Sequence, residues 1–383
     1  MKNKTMKNSL FFISIILLVC TFEAHAHRSM YVDGFPSILG DPVAEDELLS
    51  YAQSNQIETL LLYGLHVVNA NHNLANPETN YILADFISKA KTQFGIVNMG
   101  ATAENGNFFT NVIDAYNNSR SNPNEKFDIY NLEFEFWNVT GQGSNGYYCT
   151  TYLVPNGLPC TNAGGFQFFI STLQTMNNLA SNNSHPISVE AYVGWPTAGQ
   201  LDTIGSNLDR LRLHAYVSNP NTAFSYVDFR LFNYANSHPG ADVSIIFSSE
   251  PTFMHDWLLN NSMSAAENIF IEDWLYWTSN WSNNINLEGF TYFTYSYNID
   301  IILSTNNFIS SESLSIYPNP VKNILSIKNI DNLKNVRIYD VMGSIILETK
   351  EEEIDVSYLA KGIYLLQIQT DKYIETKRII KEF

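Results

Sequence analysis

Beyond residue 26, short apolar runs alternate along the chain with longer runs whose apolar positions recur every three or four residues. The short runs fall at 29–35, 57–65, 95–103, 127–137, 187–195, 210–217, 242–250 and 287–297, and each predicts a strand. Helices are predicted between them at 43–55, 80–94, 107–120, 166–180, 223–236 and 254–280. Eight strands alternating with helices over residues 27–300 predict a (β/α)8 TIM barrel of the α/β class. An open doubly wound sheet competes with it, but no glycine-rich phosphate loop follows the first strand. After a Ser/Asn-rich linker at 301–313 the rhythm changes. Residues 314–383 alternate with period two between Pro, Asn and Gly, which predicts a small antiparallel β-sandwich.

The fourth strand, "FDIYNLEFEFWN" at 127–138, departs from barrel packing rules. Its side chains alternate, so Leu132, Phe134 and Phe136 face the helices while Asn131, Glu133, Glu135 and Trp137 face the lumen. Lumen positions are normally aliphatic, and a buried unpaired carboxylate costs several kcal/mol. Neighbouring lumen positions lie roughly 6.6 Å apart, close enough for the two carboxyls to raise each other's proton affinity. Glu135, nearer the C-terminal rim, is the expected proton donor, and glycosidic leaving groups need one. The competing expectation is an internal ion-pair network with Arg212, which shares a face with His214 and Tyr216; Glu190 on strand five is an alternative partner for that arginine.

In the order Asp128, Asn131, Glu133, Glu135 the strand resembles the Asp-x-x-Asp-x-Asp-x-Glu motif of family 18 glycoside hydrolases, the chitinases and endo-β-N-acetylglucosaminidases. The resemblance implies that Glu135 is the general acid, that Glu133 holds the sugar's acetamido group and that Tyr216 assists. The acetamido oxygen then acts as nucleophile, with no cofactor or metal required. This chain carries Asn131 where the family has an Asp, Glu133 one methylene longer than the family's Asp, and His214-Ala-Tyr-Val217 where the family has Met-x-Tyr-Asp. A second enzymatic expectation pairs Glu135 with Glu250 at the end of strand seven as acid and nucleophile of a covalent retaining mechanism. Trp137, Trp195, Tyr295 and Tyr297 add aromatic surface at strand ends for sugar stacking, and with Asn131, His214 and Glu250 complete the expected substrate contacts. Two non-enzymatic expectations stand beside these: a barrel that binds glycans without cleaving them, and a surface adhesion protein.

The chain of 383 residues has a net charge of -17, which argues against nucleic-acid or anionic-membrane partners and for a neutral or cationic one such as a glycan. Residues 1–26 read as a signal peptide: Lys2, Lys4 and Lys7 precede an apolar run that ends at "AHA". No later segment is long and apolar enough to be a transmembrane span. Export to an oxidising compartment predicts a disulfide between Cys149 and Cys160 across a Pro/Gly-rich loop. Residues 314–383 hold ten basic and ten acidic residues, so the acidic excess lies in the barrel region. "YPNPVKN" at 317–323, Asp340 and Gly343, "LAKGIYLLQI" with Gly362 and Tyr364, and the terminal "KRIIKEF" resemble type A sorting domains of type IX secretion cargo. That resemblance implies a partner in the type IX secretion machinery, passage through the periplasm and outer membrane, and release or display at the cell surface.

Overall fold

The computed structural model describes residues 27–139, 146–277, 281–299, 315–328, 332–339, 345–370 and 374–382. The expected signal peptide, the linker, and Asp340 and Gly343 of the sorting motif lie outside the described residues. Eight parallel strands close into a barrel in sequential order. They are β1 (His27–Val32), β2 (Ile57–Leu62), β3 (Asn98–Ala103), β4 (Ile129–Leu132), β5 (Ser188–Val193), β6 (Arg210–His214), β7 (Ala241–Ser248) and β8 (Ile285–Phe293). Helices Pro42–Ser54, Tyr81–Gln93, Asn162–Asn182, Ala223–Ser237 and Met263–Trp277 connect them, as the periodicity predicts.

Among the described residues, short helices escape that reading at Leu65–His72 and Ala198–Gly205, as does the single turn Phe35–Ile38. The second is set by a capping box: the Thr197 side chain accepts from the Gln200 N–H while the Gln200 side chain returns to the Thr197 N–H. The stretch expected to be one helix over 107–120 winds partly as a π-helix at Phe109–Asp114. That expected over 254–280 divides into His255–Leu258 and Met263–Trp277.

Polar and aromatic side chains fill the lumen in layers. Glu190, Arg212, Ser244 and Thr291 form the lower one, all buried. Arg212 donates from Nε to Glu190 at 2.5 Å and from Nη1 to Thr291 at 2.5 Å, and Arg210 reaches the other Glu190 oxygen at 2.9 Å. Above it Tyr31, Leu61, Ile129, Tyr192 and Ile246 pack together, with Tyr63, Trp137, Tyr216 and Phe293 against them. The lumen arginine is thus neutralised by strand five, and the strand-four carboxyls lie above that network.

The remaining unit is antiparallel, with a sheet of order β13-β10-β9 and another of order β12-β11-β14-β15. These strands are β9 (Ser315–Tyr317), β10 (Ile324–Lys328), β11 (Leu333–Tyr339), β12 (Ile345–Thr349), β13 (Glu353–Asp355), β14 (Gly362–Thr370) and β15 (Ile374–Lys381). Alternate residues from both sheets, among them Leu325, Ile327, Val336, Ile338, Leu366 and Ile379, form one buried core, the sandwich that the period-two pattern predicts. Among the described residues no helix is long and apolar enough to cross a membrane.

Candidate functional site

Aromatic anchors on the outside of the barrel position the site. β4 ends at Leu132, five residues short of the expected strand end, and the chain continues irregularly into a 3-10 turn at Phe136–Asn138. The alternation nevertheless persists. Phe134 stacks on Tyr148 at 4.1 Å and meets Phe168 at 5.0 Å, while Phe136 packs on Phe166 and Phe169. With the even-numbered rings held outward and the Glu133 N–H bonded to the Ala103 carbonyl at 3.0 Å, Glu133 and Glu135 turn to the mouth. Asp128, first residue of the motif, sits at the opposite end, bound by Lys91 at 2.6 Å and His185 at 2.9 Å.

Glu135 lines an opening of about 730 Å³ together with Trp137, Asn138, Tyr192, Trp195, His214, Tyr216 and Phe253. The Tyr192 hydroxyl donates to Glu135 Oε1 at 3.3 Å and lies 3.4 Å from His214 Nδ1. Trp137 meets Tyr192 at 5.6 Å, and His214 meets Tyr216 at 4.8 Å. Trp195 is 53% exposed, with the Arg230 guanidinium 4.6 Å from its ring centroid. Its outer face is therefore available for stacking.

Burial dominates the proton affinities here. Glu133 keeps some accessible surface where it lines a second opening, but the protein otherwise encloses it; burial first and the Glu135 charge second push it up to about 8. Burial also raises Glu135, opposed by hydrogen bonds from Tyr192 and Asn138. Hence Glu133, not the expected Glu135, is the carboxyl pushed hardest toward the protonated form. His214 is held down to about 3 by burial and then by Arg230, so its ring is neutral. Burial raises Tyr192 and Tyr216, and Tyr216 also feels the charges of Glu133 and Glu250.

Glu135, Trp137, Trp195, His214 and Tyr216 therefore come together around one opening, with Glu133 beside it. Other expected contacts do not join them. Asn131 is fully buried under the mouth, hydrogen-bonded to Tyr31 and Thr102, because β4 is still regular strand there. Tyr295 is only 7% exposed and packs edge-on against Tyr51, on the helix side of the wall. Glu250 lines neither opening; Ser248 Oγ donates to it at 2.8 Å, a residue-local tether at the end of β7. Cys149 and Cys160 are free thiols, so the expected disulfide is not formed. They are neighbours all the same: a hydrogen bond with Cys160, and then burial, push Cys149 up to about 11.

Tyr192 is the site residue that the sequence reading passed over. Its signal was present, since it alternates with Glu190 on the lumen face of "ISVEAYVGW". Among the described residues, no three His, Cys, Asp or Glu side chains group to hold a metal ion.

Residues 315–382 match the family described as the secretion system C-terminal sorting domain. The C-terminal unit is a type IX sorting domain. It directs the protein through the type IX system to the cell surface or beyond. Beta-agarase D of Zobellia galactanivorans is 36% identical over 76 residues, which span 19% of this chain and 16% of that protein. Among solved structures, a modular endo-beta-1,4-mannanase from Cellulomonas fimi aligns at 9% identity and a TM-score of 0.40, covering 87% of this chain and 88% of that one. The FMN-binding beta-glucuronidase of Facaelibacterium prausnitzii L2-6 aligns at 9% identity and a TM-score of 0.40, covering 94% and 57%.

Proposed function

We propose that the barrel is a secreted glycoside hydrolase acting on N-acetylglucosamine-containing glycans, of the chitin type or the N-glycan core, by substrate-assisted retaining hydrolysis. One observation carries the reading. Two carboxyls two residues apart reach the barrel mouth above an arginine already engaged by Glu190, and an aromatic-walled opening adjoins them.

A sugar ring stacks on Trp195 and Trp137, and Glu135 gives its proton to the glycosidic oxygen as that bond breaks. The sugar's own acetamido oxygen closes on the anomeric carbon from the other face. At rest the pair holds its proton on Glu133, kept there by burial and by the Glu135 charge; as the sugar seats, that proton passes to Glu135, which delivers it, and Glu133 is left as the carboxylate facing the positive acetamido ring. Water then opens that ring and returns a proton to Glu135, so configuration is retained. Tyr192, through its bond to Glu135, fixes the direction of the acid.

Hydrolysis of fluorogenic chitobiosides and of a high-mannose glycoprotein by wild type, Glu135→Gln and Glu250→Gln tests this. Turnover that disappears in Glu135→Gln and survives in Glu250→Gln supports it. The reverse pattern favours a covalent mechanism through Glu250, whose charge already reaches Tyr216. Binding without turnover in wild type assigns the barrel to a glycan-binding protein. Binding to no glycan leaves surface adhesion.

A further inference from the structure

The two mouth carboxyls open into different cavities. Glu135 faces the one walled by β5 and β6, whereas Glu133 lines a second, of about 440 Å³, on the other flank of the β4 segment. Its walls come from the ends of β2 and β3 and from the loop after β4, and apart from Glu133 none of them takes part in the reaction described above. The volume lies within the range of ligand pockets, roughly 300–1,000 Å³.

The cavity has fixed polar groups. Tyr152 donates to Glu104 Oε2 at 2.5 Å and Tyr147 donates to the same oxygen at 3.1 Å, with the two hydroxyls 3.0 Å apart. Three side chains from two loops are thus held in one geometry, and both tyrosine rings stand at the edge of the cavity. The Tyr63 ring, packed against Tyr31 and Phe293, adds a rigid apolar wall. The lining contains Glu104 and Glu133 but neither Lys nor Arg, so it disfavours uronic or sulfated sugars and suits uncharged ones.

We propose that this cavity is a second sugar-binding lobe, so that a neutral glycan chain lies across the β4 carboxyls, occupies both openings and is cut between internal residues. The inference rests on the proposed glycoside hydrolase reading and adds chain length and internal cleavage to it.

Calorimetric titration of the full chain with N-acetylglucosamine oligomers of two to six units tests it, in a Glu135→Gln background that keeps the oligomers intact. Affinity is expected to rise by about tenfold or more from dimer to hexamer, a difference that calorimetry resolves readily. Ala103→Trp, which fills the second lobe, is expected to remove that rise while leaving binding of the shortest oligomer in the other lobe. His66→Trp, at an exposed position on the rim, gives the same reading should Ala103→Trp fail to fold. A hexamer bound no tighter than a dimer overturns the proposal, as does a length dependence that survives both substitutions. A chain that binds no oligomer of any length defeats the glycan reading itself, an outcome distinct from either.

Discussion

Burial and a like charge act in the same direction on Glu133, and this has a consequence for stability. Its carboxyl moves from the usual 4.5 to about 8, so the folded chain holds a proton that the unfolded chain releases between those values. The sign follows: stability falls as pH rises from about 4.5 to about 8, and is insensitive to this group outside that window. Glu133→Gln is therefore expected to melt higher than wild type at pH 8.5, by an amount worth at most about 5 kcal/mol, with the gap closing near pH 4. Thermal melts across pH measure it; a gap independent of pH contradicts the assignment. Arg212 gives the opposite kind of case. Both it and Glu190 have fully buried side chains, so Glu190→Gln strands a buried cation and is expected to cost about 3–5 kcal/mol in urea unfolding. At this scale the sequence disclosed a good deal: period two separated the lumen face from the helix face, and Arg212 does pair with Glu190. The depth of each side chain was not legible. Asn131 and Tyr295 are buried by packing from distant segments, and which of Glu133 and Glu135 holds its proton more tightly depends on those same segments.

The short β4 and the helix behind it control the site at the level of elements. Helix Asn162–Asn182 begins with Thr161 as its cap and passes the 3-10 turn so closely that a Cβ on Gly165 would lie 2.3 Å from Val139 Cγ2 and 3.3 Å from Phe136 Cα. Gly165→Ala is expected to destabilise the barrel by about 1–3 kcal/mol and to displace the turn that carries Trp137. Glycan affinity should therefore fall although no residue lining the larger opening has changed. Unchanged melting and affinity would show that the turn is not held by that contact. Helix positions were legible wherever apolar residues recurred over three or more turns. The end of β4 was not, because "EFEFW" continues the strand alternation in an irregular segment whose rings are anchored by Tyr148, Phe168 and Phe169. Helix Ala198–Gly205 was hidden for a different reason: it spans only two turns, and Thr197 with Gln200 was its one clear signal.

On the scale of the whole molecule, the candidate site and the sorting match lie in different units. The barrel carries the site, and the sandwich with its own core carries the sorting match at residues 315–382. Deleting residues 315–383 is expected to abolish export past the outer membrane, measured by fractionation, while the periplasmic remainder retains glycan binding; export undiminished by the deletion would contradict the sorting role. This division was legible from the change of periodicity near residue 314 and from the acidic excess confined to the preceding region. The presence of two separate openings at the mouth was not, since it depends on how four loops pack around Glu133 and Glu135. Glu135 is proposed as the proton donor of a glycan-cleaving site. The most direct measurement is kcat/KM for an N-acetylglucosamine oligomer with wild type and Glu135→Gln side by side. Cleavage by wild type is expected, with a loss of about a hundredfold or more in the variant and binding retained. Equal cleavage by both proteins, or none by either, would contradict it.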